Sequence, residues 1–171
     1  MSKRQRVNIL IVCTANICRS PVVEAILQQK LAAAGRKGWL VHSMGTWASA
    51  GQAASALSVQ LMAEQGIDIS RHRSRQVTPE ALAAAELILT MEAGHAEALR
   101  VEFPAQADKV YLLSQMSGQN HNVADPYGRR RPAYEHMVRE VESLIEDGLD
   151  EIIRLTQENR GARQTTRLKL G

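Results

Sequence analysis

Only two cysteines occur in the 171 residues, and both fall in one short stretch, as Cys13 and Cys18. So few thiols exclude the disulfide framework that staples small secreted domains, and in a reducing compartment such a pair is better read as catalytic or redox-active. A second cysteine pair is missing, and His42, His72, His95, His121 and His136 show no ligand spacing. No metal or other cofactor is therefore expected. Long apolar runs are also missing. The start, MSKRQRVNILIVC, carries charges, and its apolar stretch breaks at Thr14, too short for a secretory leader or a membrane span. The expected location is cytoplasmic. Concentrated charge is lacking in the body of the chain: of a net +3, Lys3, Arg4 and Arg6 supply +3 at the front and residues 158–171 another +3, leaving −3 for the remainder. No basic face remains to hold a nucleic acid. There is no internal repeat. The last stretch, ENRGARQTTRLKLG, has no helical stripe and reads as a flexible basic tail, 158–171, behind one domain, 1–157.

What is present suits a single core, because an apolar share of 44% in a chain of this length needs neither disulfides nor metal. A monomer is the favoured state. VNILIVC, 7–13, is apolar without alternation and rich in β-branched residues, the pattern of a strand buried on both faces. A helical stripe follows at Val23, Ile26, Leu27, Leu31 and Ala34, ended by Gly35. WLVHSM, 39–44, is a second strand. Leu57, Leu61 and Met62 mark a helix stopped by Gly66; Thr78-Pro79 caps a short one. ELILTM, 86–91, is the third strand, GHAEALRVEF a helix, and KVYLLSQM, 109–116, contains the fourth strand. Tyr134, Met137, Val138, Val141, Leu144, Ile145, Leu149 and Ile152 then define a long amphipathic helix ending near Leu155. The alternation predicts an α/β fold: a doubly wound four-stranded parallel sheet flanked by helices on both faces. Ligands of such sheets bind beyond the carboxyl ends of the strands, where the order reverses.

The loop after the first strand, VCTANICRSP, has the spacing C-x5-R-S and runs straight into a helix. A strand-to-helix loop aims successive N–H groups inward, and the helix start adds its positive dipole end, so the loop makes an anion nest. Arg19 is placed to grip two oxygens of a phosphate, and its charge favours the thiolate of Cys13, the form that attacks. The plainer alternative makes Cys13 an apolar strand end and Arg19-Ser20-Pro21 an ordinary helix entrance.

These residues resemble the low-molecular-weight protein tyrosine phosphatases, whose loop reads C-x-G-N-x-C-R-S-P. The resemblance extends through HSMGTWASAG, GIDISRHRSRQ, ELILTMEAGH and ADPYG, in the family's order and spacing. It implies a metal-independent enzyme that hydrolyses phosphotyrosine in proteins or peptides through a phosphocysteine. By that resemblance Cys13 is the nucleophile, Arg19 the phosphate-gripping arginine and Asp125 the general acid. Thr14, Ala15, Asn16, Ile17, Cys18 and Ser20 line the substrate loop, Trp47 and Tyr127 wall the crevice, and Asn16, Ser20, Ser43 and His72 prop the loop. Cys18 is the partner for a reversible disulfide with Cys13. On their own residues, Asp125-Pro126 reads as a turn, His72 as solvated, Trp47 as a loop anchor and Arg129 to Arg131 as a solvated face.

The chain departs from the family pattern in three places. Ala15 replaces the loop glycine, which strains the loop if that position needs a positive φ. Ala53 stands where many relatives have proline, and Gly128 where some have a second tyrosine. Ile17 favours aryl phosphates, since relatives with threonine there tend toward phosphoarginine. Three alternatives stay open: a phosphoarginine phosphatase, an arsenate reductase, which lacks its relay cysteine here, and an oxyanion-binding module with weakened chemistry.

Overall fold

The computed structural model describes residues 6–170, so Lys3 and Arg4 of the basic front and the final Gly171 lie outside the described residues. β1 (Val7–Cys13), β2 (Trp39–Gly45), β3 (Leu87–Thr90) and β4 (Val110–Leu112) form one sheet in the order β2-β1-β3-β4, every pairing parallel. The order reverses between β1 and β3. The crevice predicted from the sequence thus opens above the carboxyl end of β1, directly over the loop that carries both cysteines.

Alternation along β1 divides the core. Val7, Ile9, Ile11 and Cys13 point to the face covered by α1 (Arg19–Ala33), α2 (Ala56–Glu64) and α5 (Arg131–Leu170). Leu10 and Val12 point to the face covered by α3 (Pro79–Ala84) and α4 (Ala93–Glu102). Each fully buried Ile or Leu here contributes roughly 2 kcal/mol of burial free energy. The stripe predicted for α1 is buried through Val23, Ile26, Leu27 and Leu31, whereas Ala34 is exposed past the last turn. α1 starts at Arg19, so Pro21 is its third residue and not its first. Proline is tolerated there because the first four helical N–H groups have no intrahelical partner. α3 starts as predicted, with Thr78 Oγ1 accepting from the Ala81 N–H at 3.2 Å.

α5 departs most from the sequence reading. Its buried stripe, Tyr134 to Ile152, is the one expected, but the helix does not end near Leu155, and residues 158–170 do not form the expected frayed tail. The helix continues to Leu170. Polar anchors replace the missing apolar stripe: Asn159 Nδ2 donates to Glu86 O at 2.8 Å, and Arg163 Nη1 donates to Ala84 O and Glu86 Oε1, each at 3.0 Å. Gly148 lets α5 pack close; a Cβ there would meet Met116 Cβ at 2.7 Å. No helix among the described residues is long and apolar enough to cross a membrane.

Candidate active site

β1 delivers Cys13 to the crevice, and the five residues to Cys18 turn the chain into α1. Thr46 N–H donates to Cys13 O and Trp47 N–H to Thr14 O, both at 2.9 Å, so the chain leaving β2 braces the loop from one side. Gly45 is required for this approach, because a Cβ on it would overlap the Thr14 carbonyl oxygen. The one non-glycine residue with a positive φ among the described residues is Asn16, at 59°. The left-handed position of the loop therefore falls on Asn16, a residue that tolerates it, and Ala15 escapes the strain that its replacement of glycine suggested.

Asn16 is fully buried and bonded on every side. Its Nδ2 donates to Ser20 Oγ at 2.8 Å and Ser43 Oγ at 2.9 Å, its Oδ1 accepts from the Arg75 N–H at 2.9 Å, and its carbonyl accepts from His72 Nε2 at 2.7 Å. Ser43 Oγ in turn donates its hydrogen bond to Glu24 Oε2. Because Ser20 Oγ accepts from Asn16, its hydroxyl proton is left for Cys13 Sγ, 3.0 Å away. The network thus holds a donor against the sulfur.

Arg19 is 1% exposed, an unusual burial for a guanidinium. Its Nη1 donates to Glu92 Oε1 and, at 2.9 Å, to Val123 O, while Nη2 lies 3.4 Å from Asp125 Oδ2. Asp125 in turn accepts the Tyr127 N–H at 3.1 Å, which fixes the turn that carries the exposed tyrosine ring. Together these groups border a cavity of about 290 Å³ lined by Cys13, Thr14, Ala15, Ile17, Cys18, Arg19, Gln52, Asp125 and Tyr127. A thiol, a cation with one nitrogen left toward the cavity, and a carboxyl group meet in one place. That set is suited to an oxyanion.

Cys18 borders the same cavity with its Sγ 3.5 Å from Tyr134 Oη. Burial pushes the Cys18 thiol up, and burial together with the Cys18 contact pushes the Tyr134 phenol up to about 12, so both keep their protons near neutrality. Both cysteines are free. Not every residue expected at the substrate is brought to it. Asn16 and Ser20 lie beneath the cavity wall, and the Trp47 ring, 84% exposed, is outside it. Residues missed by the sequence reading are Gln52 in the wall, Glu92 on Arg19, Glu24 behind Ser43, and His95, whose Nε2 lies 2.9 Å from Thr14 Oγ1. Glu92 and His95 carry a legible signal: they follow β3 at the same switch point as Cys13.

A family model described as Low molecular weight phosphotyrosine protein phosphatase matches residues 8–159. The chain is 37% identical over 142 residues to the probable low molecular weight protein-tyrosine-phosphatase EpsP of Ralstonia nicotianae, across 83% of this chain and 90% of that protein. It is also 37% identical over 139 residues to a protein-arginine-phosphatase of Geobacillus stearothermophilus, across 81% and 90%. Among solved structures, a low molecular weight protein tyrosine phosphatase from T. tengcongensis matches with a TM-score of 0.80 at 36% identity, covering 85% of this chain and 99% of that one.

Proposed function

Since the chain belongs to the low molecular weight phosphotyrosine protein phosphatase family, we propose that it hydrolyses phosphotyrosine in proteins or peptides through a phosphocysteine at Cys13, without a metal. The observation that carries this reading is the buried Arg19 beside Cys13 in the floor of the cavity, with Asp125 at its rim. The Cys13 thiolate attacks phosphorus; an S–P bond forms as the P–O bond breaks, and the leaving phenolate oxygen takes the Asp125 proton. Asp125, now a carboxylate, then takes a proton from water as the water oxygen attacks phosphorus. The S–P electron pair returns to Cys13 as the thiolate, which accepts a hydrogen bond from the Ser20 hydroxyl, and phosphate leaves. Arg19 Nη2 and the loop N–H groups hold the equatorial oxygens throughout. Ile17 and Tyr127 supply apolar walls for an aryl group.

One finding favours a second reading, phosphoarginine as the substrate: relatives as similar as the tyrosine phosphatases are named protein-arginine-phosphatases. Kinetics on phosphotyrosine, phosphoarginine and phosphoserine peptides, run in chelator, separate the two. Preference for phosphotyrosine supports the first; full activity of Cys13→Ser on any of them removes the mechanism. Cys18 has a protective role: peroxide oxidises Cys13 to the sulfenic acid, and the Cys18 thiol displaces water from it to leave a reducible disulfide. Recovery of Cys18→Ser by dithiothreitol as complete as that of wild type would contradict this role.

A further inference from the structure

His95 is 7% exposed, lies outside every role assigned above, and has a ring Nδ1 that is buried with no hydrogen-bond partner among the described residues. Its Nε2 lies 2.9 Å from Thr14 Oγ1, on the residue that follows the nucleophile and lines the cavity. A buried N–H without an acceptor is a costlier orphan than a bare lone pair, so the ring proton belongs on Nε2. Thr14 Oγ1 is then an acceptor toward the ring, and the hydroxyl proton has no other partner among the described residues. Resting on the phosphatase reading above, we propose that His95 is a positioning residue which turns the Thr14 hydroxyl into the cavity, where it donates to an oxygen of the transferring phosphoryl group.

The surroundings support a neutral ring that serves only as a donor. Burial lowers the His95 pKa and Arg19 lowers it further, while Glu92 and Asp125 work in the opposite direction. The turn that holds His95 also holds the rest of the site. Glu92 grips Arg19, the Ala93 N–H donates to Asn122 Oδ1 at 2.8 Å, and Met91 O accepts from the Val123 N–H at 2.8 Å on the way to Asp125. Thr14, Arg19 and the Asp125 loop are thereby set by one short segment after β3. The hydroxyl so placed supplies a donor the loop N–H groups do not.

A four-way comparison tests the pair: wild type, Thr14→Val, His95→Leu and the double variant, with kcat, KM and vanadate inhibition on an aryl phosphate. One hydrogen bond to a charged oxygen is worth about tenfold. Thr14→Val should lose about that factor in kcat and in vanadate affinity with KM little changed, and Thr14→Ser should recover it. His95→Leu should lose part of the same factor, His95→Gln should restore it by supplying an amide donor, and His95→Leu should cost nothing more in the Thr14→Val background. Equal cost of His95→Leu in both backgrounds, or wild-type kcat in Thr14→Val, overturns the proposal. If His95→Leu fails to fold, His95→Met replaces it. Failure of wild type to turn over any phosphoester would instead sink the phosphatase reading, so the two failures are told apart.

Discussion

At the carboxyl ends of β1 and β3 a buried arginine faces a carboxylate; at the amino ends of the same strands a buried carboxylate faces an arginine. In the second pair both oxygens of the buried carboxylate are taken by the protein. Glu86, 3% exposed, accepts the Asn8 N–H at 2.7 Å and Arg163 at 3.0 Å, and Arg163 also reaches Ala84 O. Lys109 Nζ closes the same end on Leu82 O at 2.9 Å and Ala85 O at 2.8 Å. In the first pair Arg19 spends Nη1 on Glu92 and Val123 but keeps Nη2 beside the cavity, 3.4 Å from Asp125. Similar chemistry has opposite uses: with both carboxylate oxygens taken it clamps α5 to the sheet, and with one guanidinium edge left beside the cavity it is ready for a ligand.

The widest effect expected is on the open pair. Arg19→Ala should lower kcat/KM by roughly 10³-fold, since several charge-assisted bonds to the phosphoryl group go at once. Its mirror, Arg163→Ala, should leave kcat unchanged and cost about 3 kcal/mol of stability, because it strands the Glu86 carboxylate in the interior; denaturant unfolding measures this. A loss of kcat in Arg163→Ala with stability intact would break the comparison. Asp125→Asn should slow kcat by roughly 10²-fold for poor leaving groups and far less for good ones, which a series of substituted phenyl phosphates reads.

The smallest effect is one of pH at the closed end. Burial and Arg163 bring Lys109 from 10.5 down to about 8, against the pull of Glu86. Between those values the unfolded chain holds a proton that the folded one has released, so this group makes stability rise with pH across the window. Below about 8 both states are protonated and the slope from Lys109 vanishes. Urea titrations inside and below the window should show that rise in wild type and a flatter curve in Lys109→Met.

The fold was open to inspection in the residues because each element carries its own period: β1 as a continuous apolar run, α1 and α5 as stripes, α3 through its Thr78 cap. The loop was open because Cys13, Arg19 and the helix entrance lie within a few residues of one another. The end of α5 was hidden, since Asn159 and Arg163 are held by carbonyls and a carboxylate more than seventy residues away in the chain, and no local pattern announces such partners. Glu92 and His95 were legible only through their place after β3 at the switch point, since each acts on a loop that precedes it by seventy residues or more. Whether Ala15 needs a positive φ was not legible from the glycine of the family pattern, because the left-handed position falls one residue later, on Asn16.

The most direct measurement is a denaturing alkaline quench during steady turnover of an aryl phosphate by Asp125→Asn, followed by mapping of the labelled peptide. The account predicts one phosphoryl group bound through sulfur to Cys13, with Cys13→Ser inactive. Continued turnover with no phosphoryl group on Cys13, or hydrolysis by Cys13→Ser at the wild-type rate, would contradict it.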